Sequence, residues 1–347
     1  MTSPSSSLSV APVLAHVVRS GFVESVHHGS VVAVDGSGAS LLAVGDVTGP
    51  TFPRSSNKPV QALAMLRSGL DLDGELLALA SASHSGEAFH LEGVRRILAG
   101  AGLQEEDLQN TPDLPYDDDE RRAWIAQGRP ATALAQNCSG KHAAMLATCV
   151  VNGWDRATYR DASHPLQEQM AQTLEDLAGE PVAATGIDGC GAPVMAISLT
   201  GLARAFGRLA SAAEGTDEAR VATASSTHPE WLGGTRRDVT SLIRGIPGAV
   251  AKDGAVSVYA VGLPDGRGIA LKIADGAQRA RPVDRPDHLP VHADAGAGDP
   301  LQHGPHGGLR DRPRRWLRPG CRDRGPARRR ARRAPPPRRR CGPAPPP

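Results

Sequence analysis

The sequence predicts an α+β fold with a layered α/β arrangement, in which an antiparallel sheet packs against helices. Residues 19–46 and 256–276 alternate apolar and polar side chains as strands do, and the segments between them show the apolar spacing of helices. A chain of 347 residues with 40% hydrophobic content can bury a full core. Strands at both ends with helices between them therefore favour an α+β or layered fold, built as one large domain or two joined ones.

The predicted elements follow one another along the chain. Residues 19–46 form a β-meander with turns at Gly29 and at residues 35–38, where Asp, Gly and Ser are frequent turn formers. A helix begins near Lys58, because Pro59 suits the first helical turn. Further helices are predicted over residues 88–101, 141–151 and 165–177. The last predicted element is a β-hairpin over residues 256–276 that turns at residues 264–266.

The composition changes towards the C-terminus. Residues 301–347 hold 15 Arg and two acidic residues, whereas residues 1–300 hold 24 basic and 35 acidic residues, a net charge of −11. Almost every residue after 317 is Gly, Ala, Arg or Pro, the residues that triplets of only G and C encode. We predict a disordered N-terminus at residues 1–12, one domain at 13–284, and a tail at 285–347 that is frameshifted or disordered. A nucleic-acid-binding arm is the alternative interpretation of the tail.

The sequence has the features of a cytoplasmic protein. Residues 1–10 lack the basic start and the apolar run of a signal peptide, and no segment holds 18 uncharged apolar residues. The cysteines are odd in number and lack the spacing of a disulfide framework: Cys138, Cys149, Cys190, Cys321 and Cys341. We therefore expect thiols or metal ligands, and no membrane partner.

Ser55 and Lys58 lie three residues apart at the predicted start of a helix. Residues at this spacing share one helical face, and a neutral amine can take the proton of a neighbouring hydroxyl. The free N–H groups of a helix start stabilise negative charge and favour the neutral form of the lysine. The pattern alone occurs by chance in many surface helices. In this context it points to acyl-transfer chemistry.

Three further segments combine polar groups with small residues, as the loops of functional sites do, namely residues 83–87, 137–145 and 186–193. Each segment also has a purely structural interpretation. Cys138 and Cys190 could be buried small hydrophobes, Ser139 could be an N-cap, and the glycines could be ordinary turn formers.

Together, these segments resemble the zinc-containing serine/lysine L-asparaginases of the rhizobial type, which form the asparaginase II family. The likeness spans about residues 13 to 280 and includes residues 24–27, 54–59, 228–230 and 270–276. The resemblance implies a fold similar to serine β-lactamases and glutaminases, a homodimer, and hydrolysis of L-asparagine to L-aspartate and ammonia. Beyond about residue 284, nothing resembles the closing helix and strand of the family.

The resemblance also implies roles for individual residues. The implied catalytic residues are Ser55, Lys58, Ser83 and Lys272, in two serine/lysine pairs. The implied substrate-binding residues are Arg54, His84, Gly86 and Asp188. The implied ligands of a zinc ion (Zn2+) are Cys138, Lys141 and Cys190. Two thiolates suit zinc at about 2.3 Å, whereas an amine can bind it only in the neutral form.

The expected reaction begins when Ser55 attacks the side-chain amide and Lys58 takes its proton, which gives an acyl-enzyme. Ser83 and Lys272 relay protons to the departing ammonia and to the hydrolytic water. Zinc is expected to shape the site, because a serine nucleophile needs no zinc hydroxide. Two alternatives stay open: a glutaminase or other serine amidase of the β-lactamase-like group, and a zinc module with a basic nucleic-acid-binding tail. The expected partner is L-asparagine, without nucleic acid.

Overall fold

The computed structural model describes residues 11–280 and 291–292, which form antiparallel sheets packed against helices, as the sequence predicts for an α+β fold. The predictions for residues 1–10 at the N-terminus, and for residues 285–290 and 293–347 of the tail, lie outside the described residues. Residues 291 and 292 form a short strand. In the described part of the chain, no helix is long and apolar enough to cross a membrane.

The strands run antiparallel in two sheets. The strands are β1 (Val13–Arg19), β2 (Phe22–Val34), β3 (Ser40–Val44), β4 (Pro50–Thr51), β5 (Ala184–Ile187), β6 (Pro193–Ser198), β7 (Val250–Gly254), β8 (Val258–Gly262), β9 (Gly268–Ile273) and β10 (Val291–His292). Within the described residues, the larger sheet has the order β10-β1-β2-β9-β8-β7, and β3 pairs with the second half of β2. The smaller sheet has the order β4-β6-β5.

Helices fill the long connection between β4 and β7 and pack against the larger sheet. They are α1 (Lys58–Arg67), α2 (Gly74–Ala80), α3 (Ala88–Gly100), α4 (Asp118–Ala126), α5 (Ser139–Asn152), α6 (Pro165–Ala178), α7 (Leu199–Ala210), α8 (Asp217–Thr227), α9 (Pro229–Leu232) and α10 (Asp238–Gly245). Two of them are buried almost all round: every residue of α1 from Lys58 to Leu66, and every residue of α5 from Ser139 to Cys149. Polar side chains on these helices are therefore buried as well.

The larger sheet is covered on both faces at its β7–β9 end. Val258 and Ala260 of β8 belong to the main core, which α7 covers. Tyr259 and Val261 of the same strand point to the other face and pack with Ile243 of α10. Alternate strand residues face opposite sides, so this pattern places the sheet between two layers of helices.

Strand β2 differs from the prediction. We expected a turn at Gly29, but β2 runs through this residue without interruption, and Gly29 pairs with Ile273 of β9. A Cβ atom at Gly29 would lie 2.4 Å from the carbonyl oxygen of Lys272. Glycine is needed here because the two backbones approach closely. From the sequence alone, such a glycine cannot be distinguished from a glycine in a turn.

The remaining elements agree with the prediction apart from their ends. The three predicted helices correspond to α3, α5 and α6, and the predicted hairpin is the β8–β9 pair, whose turn includes Pro264 and Gly266. The acidic stretch after Tyr116 is the start of α4, where Asp117 accepts hydrogen bonds from the N–H groups of Asp119 and Glu120. Its carboxylates therefore cap a helix.

Candidate functional site

Lys58 joins three of the segments that the sequence singled out. Its side chain is buried, and its Nζ lies 2.5 Å from the carbonyl oxygen of Ala82, 3.0 Å from Ser83 Oγ and 3.1 Å from Cys138 Sγ. Ser55 is not one of these partners, so the expected Ser55–Lys58 contact is replaced by a Ser83–Lys58 contact. Lys58 begins α1 just after the 3₁₀ turn that holds Ser55, and its buried amine is directed to the oxygen and sulfur atoms of two other loops, which satisfy its donors.

Ser55 occupies the 3₁₀ turn Arg54–Asn57, which strand β7 approaches from the side. The turn begins with Arg54 in the left-handed region, at φ +53°. Ser56 closes it through its hydroxyl, which donates to the carbonyl of Pro53 at 2.7 Å. Ser55 itself is half-buried, whereas Ser56 and Lys58 are buried. The turn thus leaves Ser55 as its accessible hydroxyl.

The backbone of Ser83 and His84 is held from two sides. The N–H of Ser83 donates to the carbonyl of Leu232, and the N–H of His84 donates to the carbonyl of Asn137. Arg237 donates to the carbonyl of Ser83 at 3.2 Å. The Ser83 hydroxyl is therefore fixed against Lys58 by neighbours from other parts of the chain.

His84 lies in the interior and supports α5. Its Nε2 is 2.8 Å from Ser139 Oγ, and Ser139 donates its own hydrogen to the carbonyl of Leu134. His84 must then be the donor to Ser139. Burial, with the nearby His90, Lys58 and Arg237, holds the pKa of His84 well below its usual value, so the ring is neutral. This position favours a supporting role over the substrate contact that we expected.

Gly86 has a packing role in this structure. It lies in the left-handed region at φ +88°, and a Cβ atom there would come within 2.7 Å of Pro115 Cβ. The loop that carries Ser83 can pass beneath the segment before α4 only because residue 86 has no side chain.

Arg54 and Asp188 form an ion pair that links two of the candidate loops. The Arg54 guanidinium donates to Asp188 Oδ1 from Nε at 2.8 Å and from its terminal nitrogen at 2.7 Å. Both side chains are largely shielded from solvent. Asp188 also accepts from the N–H of Gly189. A cation and an anion therefore lie side by side next to the turn that carries Ser55.

Cys138, Lys141 and Cys190 lie together and are buried. Lys141 Nζ lies 3.4 Å from Cys190 Sγ. A hydrogen bond from Cys138 lowers the pKa of Cys190 despite the opposing effect of burial, and Lys141 lowers it further. Burial lowers the pKa of Lys141, but Cys190, Cys138 and Asp188 outweigh this effect and raise it. Cys190 and Lys141 therefore stabilise each other's charged forms.

This donor set fits a zinc ion only if the amine takes part. Among the described residues, no group of three or more His, Cys, Asp or Glu side chains is arranged to hold a metal ion. Two thiols and one amine in mutual contact supply three donors of types that bind zinc once deprotonated. The chemistry of the three side chains therefore fits the expected metal, with one position left for another ligand.

Lys272 does not pair with Ser83. Its Nζ donates to the carbonyl oxygens of Val256 and Ile273, both at 2.6 Å. Val256 and Ser257 both lie at φ +52°, a conformation that is rare for a β-branched residue. Burial lowers the pKa of Lys272. In this structure Lys272 therefore holds a strained turn and does not hydrogen-bond Ser83, and its catalytic role stays a prediction.

Lys252 is the site lysine that the sequence analysis missed. It is fully buried on β7, and its Nζ contacts the backbone oxygen and Oδ1 of Asp253, both at 2.7 Å. Burial, with the nearby charges of Lys58 and Arg237, lowers the pKa of Lys252 to about 8. Arg237 connects the group to the site, because it bonds both Asp253 and the carbonyl of Ser83. The sequence signal is the Lys-Asp pair directly after the apolar residues 249–251, because lysine is rarely buried unless it is paired.

The chain resembles known sequences over most of the part that the structure describes. The family model for L-asparaginase II matches residues 15–286. The chain belongs to the L-asparaginase II family. No curated protein sequence matches it.

The chain is also similar to solved structures, at low identity. The structures include Mglu in its native form (13% identity, 77% of this chain and 64% of that chain, TM-score 0.39), a β-lactamase from Mycobacterium bovis (15%, 77% and 89%, 0.38), and a probable glutaminase from Bacillus subtilis complexed with 6-diazo-5-oxo-L-norleucine (13%, 77% and 83%, 0.30). The chain spans 64% of the length of Mglu. At these TM-scores each likeness is weak.

Proposed function

We propose that the protein hydrolyses L-asparagine to L-aspartate and ammonia through a serine acyl-enzyme, as a zinc-containing member of the rhizobial type. The observation that carries the proposal is the buried Lys58 amine, 3.0 Å from the hydroxyl of Ser83 and one turn from Ser55. Such an amine can move a hydroxyl proton, which acyl transfer requires. Membership of the L-asparaginase II family supports an amide substrate.

Ser55 is the proposed nucleophile because its turn leaves it accessible, whereas Ser83 is buried against Lys58. A neutral Lys58 has two hydrogens and one lone pair. It can donate to the Ala82 carbonyl and to Cys138 while it accepts the hydrogen of Ser83. The Ser83 oxygen can then use its free lone pair to accept a hydrogen bond from the Ser55 hydroxyl. The proton of the nucleophile thus passes through Ser83 to Lys58.

The same two groups return the proton. When the Ser55 oxygen has bonded to the amide carbon, protonated Lys58 gives a proton through Ser83 to the amide nitrogen. The carbon–nitrogen bond breaks, ammonia leaves, and an ester remains on Ser55. A water molecule then attacks the ester carbon and gives its proton to the same relay. The relay returns a proton to the Ser55 oxygen as the ester carbon–oxygen bond breaks, and L-aspartate leaves. Lys58 is the first lysine of this relay. We propose Lys252 as the second lysine near it, in place of the expected Lys272.

Arg54 and Asp188 are the proposed anchors of the amino-acid end of the substrate. L-asparagine carries an α-carboxylate and an α-ammonium group, which match a cation and an anion placed side by side. With both charges anchored, the extra methylene of L-glutamine would displace its amide carbon from Ser55. Discrimination by one methylene is worth about 10- to 200-fold in kcat/KM. The glutaminase alternative requires a higher kcat/KM for L-glutamine than for L-asparagine.

Cys138, Lys141 and Cys190 are the proposed zinc ligands. A bound zinc ion would supply a positive charge that keeps both thiols ionised and holds their two loops together. This charge would shape the site next to Lys58, which contacts Cys138. From the family resemblance, we also propose a homodimer in the cytoplasm. Light scattering on the purified protein gives the mass that tests the dimer.

Ammonia release from L-asparagine, with L-glutamine as the comparison, tests the proposed function. We expect turnover of L-asparagine, and a loss of at least about 10³-fold in Ser55→Ala. Lys58→Met should be similarly inactive, whereas Ser226→Ala, at a half-buried serine on α8, should match the unaltered protein.

Trapping of the acyl-enzyme identifies the nucleophile. A slowly hydrolysed ester substrate and peptide mass spectrometry should place the adduct on Ser55. An adduct on Ser83 would transfer the nucleophilic role to that residue. Turnover of neither amide, with no adduct on either serine, would overturn the proposed function.

A further inference from the structure

Arg237 is a buried arginine at the start of α10 that contacts three separate parts of the chain. Its relative exposure is 9%. One terminal nitrogen of its guanidinium group donates to the carbonyl oxygen of Ser83 at 3.2 Å, and the other donates to Asp253 Oδ2 at 2.5 Å. The ring of Tyr116 covers the guanidinium, whose central carbon lies 4.4 Å from the ring centroid. One side chain therefore connects the Ser83 loop, strand β7 and the segment before α4.

The backbone of Ser83 is bonded on both sides by the connection between α9 and α10. Its N–H donates to the carbonyl of Leu232, the last residue of α9, and its carbonyl accepts from Arg237. The same connection packs tightly against the Ser83 loop, because a Cβ atom at Gly234 would lie 2.0 Å from Ser85 Oγ. The position of the Ser83 hydroxyl therefore depends on this connection.

The Asp253 carboxylate is shared between two cations. Its Oδ2 accepts from Arg237, and its Oδ1 accepts from Lys252 Nζ at 2.7 Å. All three side chains are buried, and removal of one partner from such a group leaves the others with an uncompensated charge. The position of the Lys252 amine therefore depends on Arg237, through the carboxylate between them.

Arg237 is not placed as a proton acceptor or as a substrate anchor. A guanidinium group stays protonated at any pH at which proteins are folded, so it cannot take a proton from a serine. Both of its terminal nitrogens are bonded to protein oxygens, and Tyr116 covers its face. It can act on the reaction only through the groups that it holds, which are the backbone of Ser83 and, through Asp253, the amine of Lys252.

We propose that Arg237 is a positioning residue of the proton relay: by bonding the Ser83 carbonyl and the Asp253 carboxylate at once, it fixes the Ser83 hydroxyl and the Lys252 amine relative to each other. The inference rests on the serine chemistry of the proposed function, in which Ser83 passes a proton to Lys58. Proton transfer from a hydroxyl to an amine requires a hydrogen bond of ordinary length. A misplacement of about 1 Å can cost about 10²-fold in rate.

Ammonia release by full-length Arg237→Ala tests this role. For L-asparagine, kcat should fall by about 10²-fold, whereas KM should change little because Arg237 does not bind the substrate. Guanidinium chloride at concentrations that leave the protein folded, compared with sodium chloride of equal ionic strength, should restore part of kcat, because the ion can occupy the vacated space between the two acceptors. Arg237→Lys keeps the charge without the forked geometry, so its kcat should be intermediate.

Thermal unfolding and two further variants separate positioning from general stability. Melting curves show whether the kinetics are recorded on folded protein. Arg244→Ala removes another arginine of α10, one that bonds Glu230 at the surface, and it should change neither kcat nor the response to guanidinium. Asp253→Asn removes the other half of the ion pair, so the loss of kcat in the double variant with Arg237→Ala should be smaller than the product of the two single losses. If Arg237→Ala does not fold, Arg237→Lys and Asp253→Asn must show the fall in kcat at unchanged KM.

The contrary results are distinct. An unchanged kcat in folded Arg237→Ala would overturn the inference and leave the proposed function in place. A raised KM with unchanged kcat would make Arg237 a substrate anchor, and a fall in kcat that follows the melting temperature and that guanidinium does not reverse would make it a structural residue; either result would overturn the inference as well. If the unaltered protein turns over neither amide and forms no adduct on either serine, the proposed function fails and this inference fails with it.

Discussion

Lys58 and Lys252 are buried cations whose contacts decide their roles. Lys58 contacts a carbonyl, a hydroxyl and a thiol from two other loops, and Lys252 contacts the carboxylate of its neighbour Asp253. Burying an ammonium group without partners is strongly unfavourable. The fold therefore keeps these lysines only where oxygen and sulfur atoms surround them.

The two lysines that compete for the second catalytic position can be separated by substitution. Lys252→Met should lower kcat by about 10²-fold or more, because it removes a cation next to the proton relay. Lys272→Met should chiefly lower the melting temperature, because it releases the carbonyl oxygens of Val256 and Ile273. Steady-state ammonia release and thermal unfolding of both variants check this. A lower kcat in Lys272→Met, with chiefly a lower melting temperature in Lys252→Met, would instead assign the catalytic role to Lys272.

His90 should make the fold sensitive to acid. Burial lowers the pKa of His90 to about 4, whereas in the unfolded chain it is near 6.5. Between these values the unfolded state binds more protons, so stability is unaffected above about pH 6.5 and falls as the pH drops towards 4. The loss from this residue is at most about 3 kcal/mol.

A substitution isolates this contribution. His90→Leu should unfold with a smaller dependence on pH between 6.5 and 4, although it loses the bond to the Glu230 carbonyl and is less stable at neutral pH. Urea unfolding at several pH values measures the slopes. Equal slopes in both proteins would show that His90 does not titrate in this window.

At the scale of elements, α1 and α5 are the frame of the site. Both helices are buried all round, so the polar residues at their N-terminal ends have no access to bulk solvent. Lys58 begins α1 and Lys141 lies in the first turn of α5, which directs both amines towards the thiols. The positions of these two helix starts therefore determine the geometry of the site.

The contact between α5 and α2 should tolerate no added atom. A Cβ at Gly140 would lie 2.5 Å from the carbonyl oxygen of Leu79, so Gly140→Ala must push the start of α5 away. We expect a lower melting temperature and weaker zinc binding. Gly100→Ala at the end of α3 is the matched control, because nothing lies within 4 Å of its Cβ position, and it should be neutral or slightly stabilising. Equal effects of the two substitutions would contradict the close contact.

At the scale of the whole molecule, strand β1 of the larger sheet pairs with residues 291 and 292. Val291 and His292 pair with Val17 and His16 of β1, although the sequence predicted a tail from residue 285. Without this pairing β1 would be an edge strand with free N–H and C=O groups. The pairing places at least these two residues on the sheet.

Two truncations test this pairing. A chain cut after residue 296 keeps β10, and it should unfold at nearly the temperature of the full chain and keep its ammonia release, because residues 1–296 form one compact unit. A chain cut after residue 284 loses β10 and should be less stable and more prone to aggregate. Identical melting curves for the two truncated chains would show that β10 contributes nothing.

The sequence by itself determined the kind of structure and predicted candidate residues for the site. Apolar periodicity reports which segments are helices and strands, and the clusters of polar and small residues identified the loops that meet at Lys58. What it could not determine was which serine faces which lysine. Ser55 and Lys58 are close in sequence, yet the hydroxyl that Lys58 contacts is that of Ser83, 25 residues further along the chain.

Only the tertiary structure decided that Lys252 lies beside Lys58 and Arg237, and that Lys272 holds a strained turn. These relations join residues far apart in the chain. Local sequence sets backbone conformation, but contacts between distant side chains depend on how whole elements pack, because only packing decides which buried groups must satisfy one another.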